Sequence, residues 1–171
     1  MHGLAQEACT SIGSLYHFFP DKESVLQALH EKHHTSIQRL TDLAEQITDE
    51  DWQRFTAKEV VQNLMQPFLD YLAQNLAFVY LTHSRECGSP RENGRGMHEI
   101  LSRVISLRTP GATEAQRHAY TATLFSLPVG MLSELLPEYE HALHGPILAT
   151  ELPRAMEAYL RAIEALHTAE H

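Results

Sequence analysis

Along most of the chain, apolar residues recur every three or four positions, the interval that places side chains on one face of an α-helix. Leu26, Leu29, Ile37, Leu40 and Ile47 form such a stripe and predict a long helix from Lys22 to about Ile47. Val60, Val61, Leu64, Met65, Phe68 and Leu72 predict a second, from Ala57 to Asn75, with Pro67 kinking or breaking it. Short helices are expected up to Ala8, over Ile12 to Phe18 and over Ala77 to Arg85, and longer ones over Met97 to Leu107 and Glu114 to Leu136. Pro128 and Gly130 should kink the last of these. Pro153 suits a first helical turn, and Met156, Tyr159, Leu160, Ile163 and Leu166 make the stripe of a terminal helix. No strand alternation or hairpin dipeptide interrupts the pattern, so the fold class is all-α.

The polar positions supply the punctuation. Ser11 can cap the helix that starts at Ile12, and Asp21, after Pro20, can cap the next. Residues 88–96 are glycine-rich and read as a loop, and Arg91, Arg95 and Arg103 around it read as solvated charges. The segment from Leu4 to Glu23 is therefore two short helices joined by a tight turn, with a third helix behind them. That is the plan of a helix-turn-helix, whose second helix can enter a DNA major groove. Ser11, Ile12, Gly13, Ser14, Tyr16, His17 and Lys22 are the candidate DNA-contacting residues. Gly13 permits close approach, and the hydroxyl and imidazole groups can meet phosphates or base edges. Lys22 begins a helix, where free N–H groups also favour a phosphate.

This segment resembles the helix-turn-helix of the tetracycline-repressor (TetR) family of bacterial transcriptional regulators. The resemblance rests on Leu4-Ala5, Ala8 to Ser11, Gly13, Leu15-Tyr16, Phe18-Phe19 and Lys22-Glu23. Cys9 stands where the family usually has glycine. The first residues fall within what would be the family's second helix, so the expectation is a reading unit without its first helix. The family likeness implies a partial helix-turn-helix over residues 1–23 and a ligand-binding and dimerisation bundle over residues 24–171. It further implies a double-stranded DNA operator, a small-molecule effector and a homodimer as partners, with repression as the expected direction. The bundle would hold the effector pocket, for which Trp52, Phe55, Met65, Phe68, Tyr71, Phe78, His98 and Phe125 are candidates, with Tyr120 as a further polar contact. The last two long helices would form the dimer interface through Ala119, Thr123, Ser126, Met156, Tyr159, Leu160 and Ile163. Plain core packing is the simpler reading for any one of these apolar residues.

Composition narrows the alternatives. The chain has 171 residues and a formal net charge of -9, which disfavours a protein that coats nucleic acid with its whole surface. Residues 1–41 are the least acidic part, with three basic and four acidic side chains. Two cysteines, Cys9 and Cys87, make no disulfide framework and point to a reducing compartment. No apolar run reaches the ~18–20 residues that span a bilayer, and no signal peptide is visible, so the expected setting is the cytoplasm, with no membrane partner. His30-Glu31-Lys32-His33-His34 matches the zinc-protease pattern literally, yet twelve histidines make chance matches easy and no third ligand follows at a familiar spacing. No catalytic residue, metal or cofactor is expected. The second function class left open is a dimeric helical bundle that binds a small molecule or protein and has lost DNA binding.

Overall fold

The computed structural model describes residues 1–75, 95–138 and 146–168, with the side chains of 132–138 and 168 excepted. All of the secondary structure among the described residues is helical. The expected helix over Ala77 to Arg85, Phe78 within it, and most of the 88–96 loop lie outside the described residues. The chain divides into two compact units, Met1–Ser36 and Ile37–His171. The expected boundary after Glu23 thus falls inside the front unit.

The front unit contains α1 (His2–Glu7), α2 (Ile12–Phe18) and the front of α3 (Lys22–Glu45). Its connections are built from caps. After α1, Cys9 N–H donates to the Gln6 carbonyl at 3.1 Å, and Thr10 N–H donates to the Ala5 carbonyl at 3.0 Å. This pair of bonds is the Schellman closure of a helix C-terminus, which requires a left-handed residue between them. Cys9 fills that role at φ 49°. Ser11 then caps α2 by accepting from Ser14 N–H at 3.0 Å, as its position predicts. Asp21 and Ser24 cap α3 reciprocally, Asp21 Oδ1 accepting from Ser24 N–H at 2.7 Å and Ser24 Oγ from Asp21 N–H at 3.3 Å.

The larger unit contains the rest of α3, α4 (Asp49–Arg54), α5 (Ala57–Val60), α6 (Gln66–Gln74), α7 (Arg95–Arg108), α8 (Glu114–Glu138) and α9 (Leu152–Thr168). Its core gathers Ile37, Trp52, Val61, Leu64, Leu69, Leu101, Ile105, Leu148, Met156 and Leu160 with their neighbours. Thr56 and Glu59 form a capping box at the start of α5, and those bonds hold the Glu59 carboxyl below its ordinary range. Between α5 and α6 lies one π-helical turn, Val61–Met65, closed by Gln66 N–H donating to the Val61 carbonyl. Pro67 follows at once, so the break its ring predicts is taken up as a wider turn just ahead of it. The same device precedes Pro153: a π turn at Ile147–Glu151 leads into α9, and Leu152 N–H donates to the Ile147 carbonyl. Pro153 thus falls in the first turn of α9, as its position predicts, with the π turn directly ahead of it. By contrast, α8 continues through Pro128 and Gly130, where the sequence predicts a kink.

Arg108 ties three elements of this unit together. Its Nε pairs with Glu164 on α9, and its Nη1 donates to the carbonyls of Trp52 and Phe55, each at 2.7 Å. Those carbonyls lie at the end of α4, where a helix leaves acceptors unsatisfied. The planar fork of arginine serves both tasks at once.

Candidate functional site

Among the described residues, chemistry-bearing side chains gather in both units. In the front unit, α2 turns Gly13, Ser14, Tyr16 and His17 outward. Ser11 and Lys22 are also exposed, whereas Ile12 is half-buried. Ser14 Oγ lies 2.8 Å from Ser11 Oγ, and the His17 ring meets Phe18 edge-on at 5.3 Å. Gly13, like Gly3 and Gly130, stands in a helix with open space where a side chain would be. A Cβ built there would find only Ser11 Oγ, at 3.9 Å, so nothing inside the unit requires its absence. Its φ does not lie in the left-handed region either. Glycine within a helix costs about 1 kcal/mol relative to alanine. The cost brings no internal return, and a bare backbone on an exposed helix face lets another surface come close.

The apolar residues around this face are thinly covered. Phe18 is 74% exposed, and Leu4, Tyr16 and Leu29 are exposed as well. Among residues 1–36 only Ala5 and His33 are buried. His33 sits on α3 between the half-buried His30 and the exposed His34, so these three rings do not share one environment. Burial, with Lys32 and then His30 adding to it, pushes the His33 pKa below its ordinary value. Among the described residues no group of three or more His, Cys, Asp or Glu is arranged to hold a metal ion.

In the larger unit an open cleft of about 340 Å³ runs between α7 and α8. Arg95, His98 and Glu99 line it from one turn of α7, and His118, Ala122, Phe125 and Ser126 from α8. The His98 and Phe125 rings meet edge-to-face at 5.3 Å and 75°. The expected effector pocket is thereby divided. His98 and Phe125 line the cleft. Trp52 is fully buried against Phe55, which is itself half-buried, the rings 5.6 Å apart and nearly perpendicular. Met65 is core, beside an enclosed void of about 10 Å³, space for one water at most. Phe68 and Tyr71 pack half-buried against the core. Of the seven described candidates, five thus serve packing, because their apolar faces close the bundle. Of the other cleft residues, Glu99, His118 and Ala122 are not singled out by the sequence, which reads Arg95 as a solvated charge. Their signal was spacing: 95, 98 and 99 share one helix face, and 118, 122, 125 and 126 share another.

The expected dimer residues also divide. Ala119, Thr123 and Ser126 are exposed on α8. Met156, Leu160 and Ile163 are buried in the core of their own chain and leave no area for a second copy to cover, so the stripe they form on α9 is an internal one. Tyr159 is half-buried against Tyr120, whose hydroxyl lies 3.1 Å from His167 Nε2. α9 instead turns Ala155, Ala158 and Ala162 outward.

No helix among the described residues is long and apolar enough to cross a membrane. No protein-family model, curated protein or solved structure matches this chain.

Proposed function

We propose that this chain is a ligand-responsive, DNA-binding transcriptional regulator, a repressor of the tetracycline-repressor type, acting as a homodimer. α2 is its reading helix and the larger unit its sensor. The observation that carries the reading is the exposed face of α2, where Gly13, open to close approach, stands among Ser14, Tyr16 and His17. Gly13 supports close approach by an outside backbone, and the hydroxyls of Ser14 and Tyr16, the His17 imidazole and the Lys22 amine flank it with groups suited to phosphates and base edges. The exposed small residues of α8 and the outward alanines of α9 are the surfaces offered for pairing. In such a dimer two reading helices meet two half-sites on one DNA face, and an effector acts through its different affinity for two arrangements of the pair.

Fluorescence anisotropy against the DNA flanking the chain's own gene, at several salt concentrations, tests this. The wild-type chain is expected to bind. Gly13→Ala should weaken binding while leaving the fold at least as stable, and Lys22→Ala should lower the salt slope by about 1. Failure of the wild type to bind, or unchanged binding by Gly13→Ala, overturns the reading. The second reading, a helical binding bundle without DNA recognition, draws on the charge of residues 1–36. There Lys22 and Lys32 face Glu7, Asp21, Glu23 and Glu31, so the front unit carries no basic patch. The same titration decides between the two.

A further inference from the structure

We propose that the cleft between α7 and α8 binds a planar aromatic carboxylate bearing a hydrogen-bond donor on its ring. The inference deepens the sensor half of the proposed function and rests on it only for the consequence at DNA. Its volume of about 340 Å³ falls in the range of small-molecule sites, and one or two rings fill it. Ala122 makes the room: its short side chain lies on the α8 face between His118 and Phe125. The half-buried Phe125 ring and the His98 ring stand at 75° to each other and form an aromatic corner. A flat ring seated there meets one π-face and one edge, the arrangement aromatic groups prefer.

The polar groups select the rest of the ligand. Arg95 is exposed at the start of α7 and offers a two-pronged donor matched to a carboxylate. His98 and His118 bring imidazole nitrogens from the two walls. Among the described lining residues Glu99 is the single anionic group, and a carboxylate accepts only. It repels a second negative charge and receives a ring hydroxyl or amine. The lining therefore disfavours dianions and purely apolar molecules alike.

Three probes share one ring and differ in charge: 4-hydroxybenzoate, its neutral amide 4-hydroxybenzamide, and the cation tyramine. Isothermal titration into the full chain is expected to rank the benzoate first. Arg95→Gln should weaken the benzoate about tenfold or more, the size of one charge-assisted bond, and leave the amide unchanged. Ala122→Leu should abolish binding of the benzoate by filling the cleft, with circular dichroism showing that both variants stay folded. The proposal is overturned if none of the three binds at millimolar concentration, if the amide or tyramine binds as tightly as the benzoate, or if Arg95→Gln changes nothing. DNA affinity is measured separately. A chain that takes 4-hydroxybenzoate in the cleft yet ignores DNA sinks the regulator reading and supports this one.

Discussion

Cys9 and His33 show how one residue can carry a cost that its surroundings impose. The turn after α1 needs a left-handed residue, and Cys9 supplies φ 49° although its Cβ crowds the backbone there. Glycine relieves that strain and gives back part of the gain through a freer unfolded chain. Cys9→Gly should therefore stabilise the front unit by about 0.5–1 kcal/mol in denaturant unfolding followed by amide exchange. Cys9→Val should destabilise it, since a β-branched side chain suits this region least; the reverse order would mean that the turn is not left-handed. His33 works through charge. Its burial favours the neutral ring, so the folded-state pKa lies below the ordinary 6.5. Above that value both states hold a neutral ring and stability is complete. As pH falls below it, the unfolded chain takes up the proton first and stability declines. Unfolding midpoints between pH 8 and pH 5, about the ordinary span of histidine, should fall toward acid in the wild type. His33→Gln should flatten that part of the profile, and parallel profiles would remove His33 as its source.

At the scale of elements, the joints decide more than the stripes do. The first turn of α7 passes so close to α3 that a Cβ on Gly96 would lie 2.7 Å from Thr41 Cγ2. Thr41 cannot swing away freely, because it is buried, β-branched and bonded through Oγ1 to the Ile37 carbonyl at 3.1 Å. Gly96→Ala should cost about 1–3 kcal/mol, the range for overpacking a filled site. Thr41→Ser removes the offending methyl and keeps the hydroxyl, so in that background Gly96→Ala should be nearly neutral; additive losses in the double-mutant cycle would show that the two do not collide. Helix identities and caps were legible in the sequence because they depend on local periodicity and on single side chains such as Ser11 and Asp21. The Gly96–Thr41 approach was not, since it joins residues far apart in the chain. The π turns were half legible: Pro67 announces a disruption, but which bonds absorb it depends on packing around Val61 and Gln66. The same limit divided the α9 stripe, whose spacing reveals a buried face without saying whether its own chain or a second copy buries it.

Across the whole molecule, burial is distributed unequally, and this has a consequence for dynamics. The larger unit has a continuous core with Trp52, Leu69, Val104, Ile105, Leu152 and Met156 sealed from solvent. Residues 1–36 bury only Ala5 and His33, while Phe18 and Tyr16 remain open. Each buried aliphatic or aromatic side chain contributes about 1.5–3 kcal/mol, so opening α1 and α2 requires far less free energy than opening α7 or α9. Native-state hydrogen exchange should find the amides of α1 and α2 exchanging through low-energy local openings, and those around Val104 and Leu160 through the highest. Limited proteolysis should cut within residues 1–36 before it cuts within α7 or α9. A ligand that binds only the closed form of a segment raises the free energy of opening it by RT ln(1 + [L]/Kd), about 2.7 kcal/mol at one hundred times Kd. On the proposed function, DNA should thus slow exchange in α1 and α2 and leave the core amides of α7 and α9 at their former rates. 4-Hydroxybenzoate seated between α7 and α8 should do the opposite, protecting the amides that flank the cleft. Uniform exchange along the chain would contradict the unequal burial itself. Protection of the front helices by the benzoate alone, without DNA, would show that the effect of the cleft reaches α2.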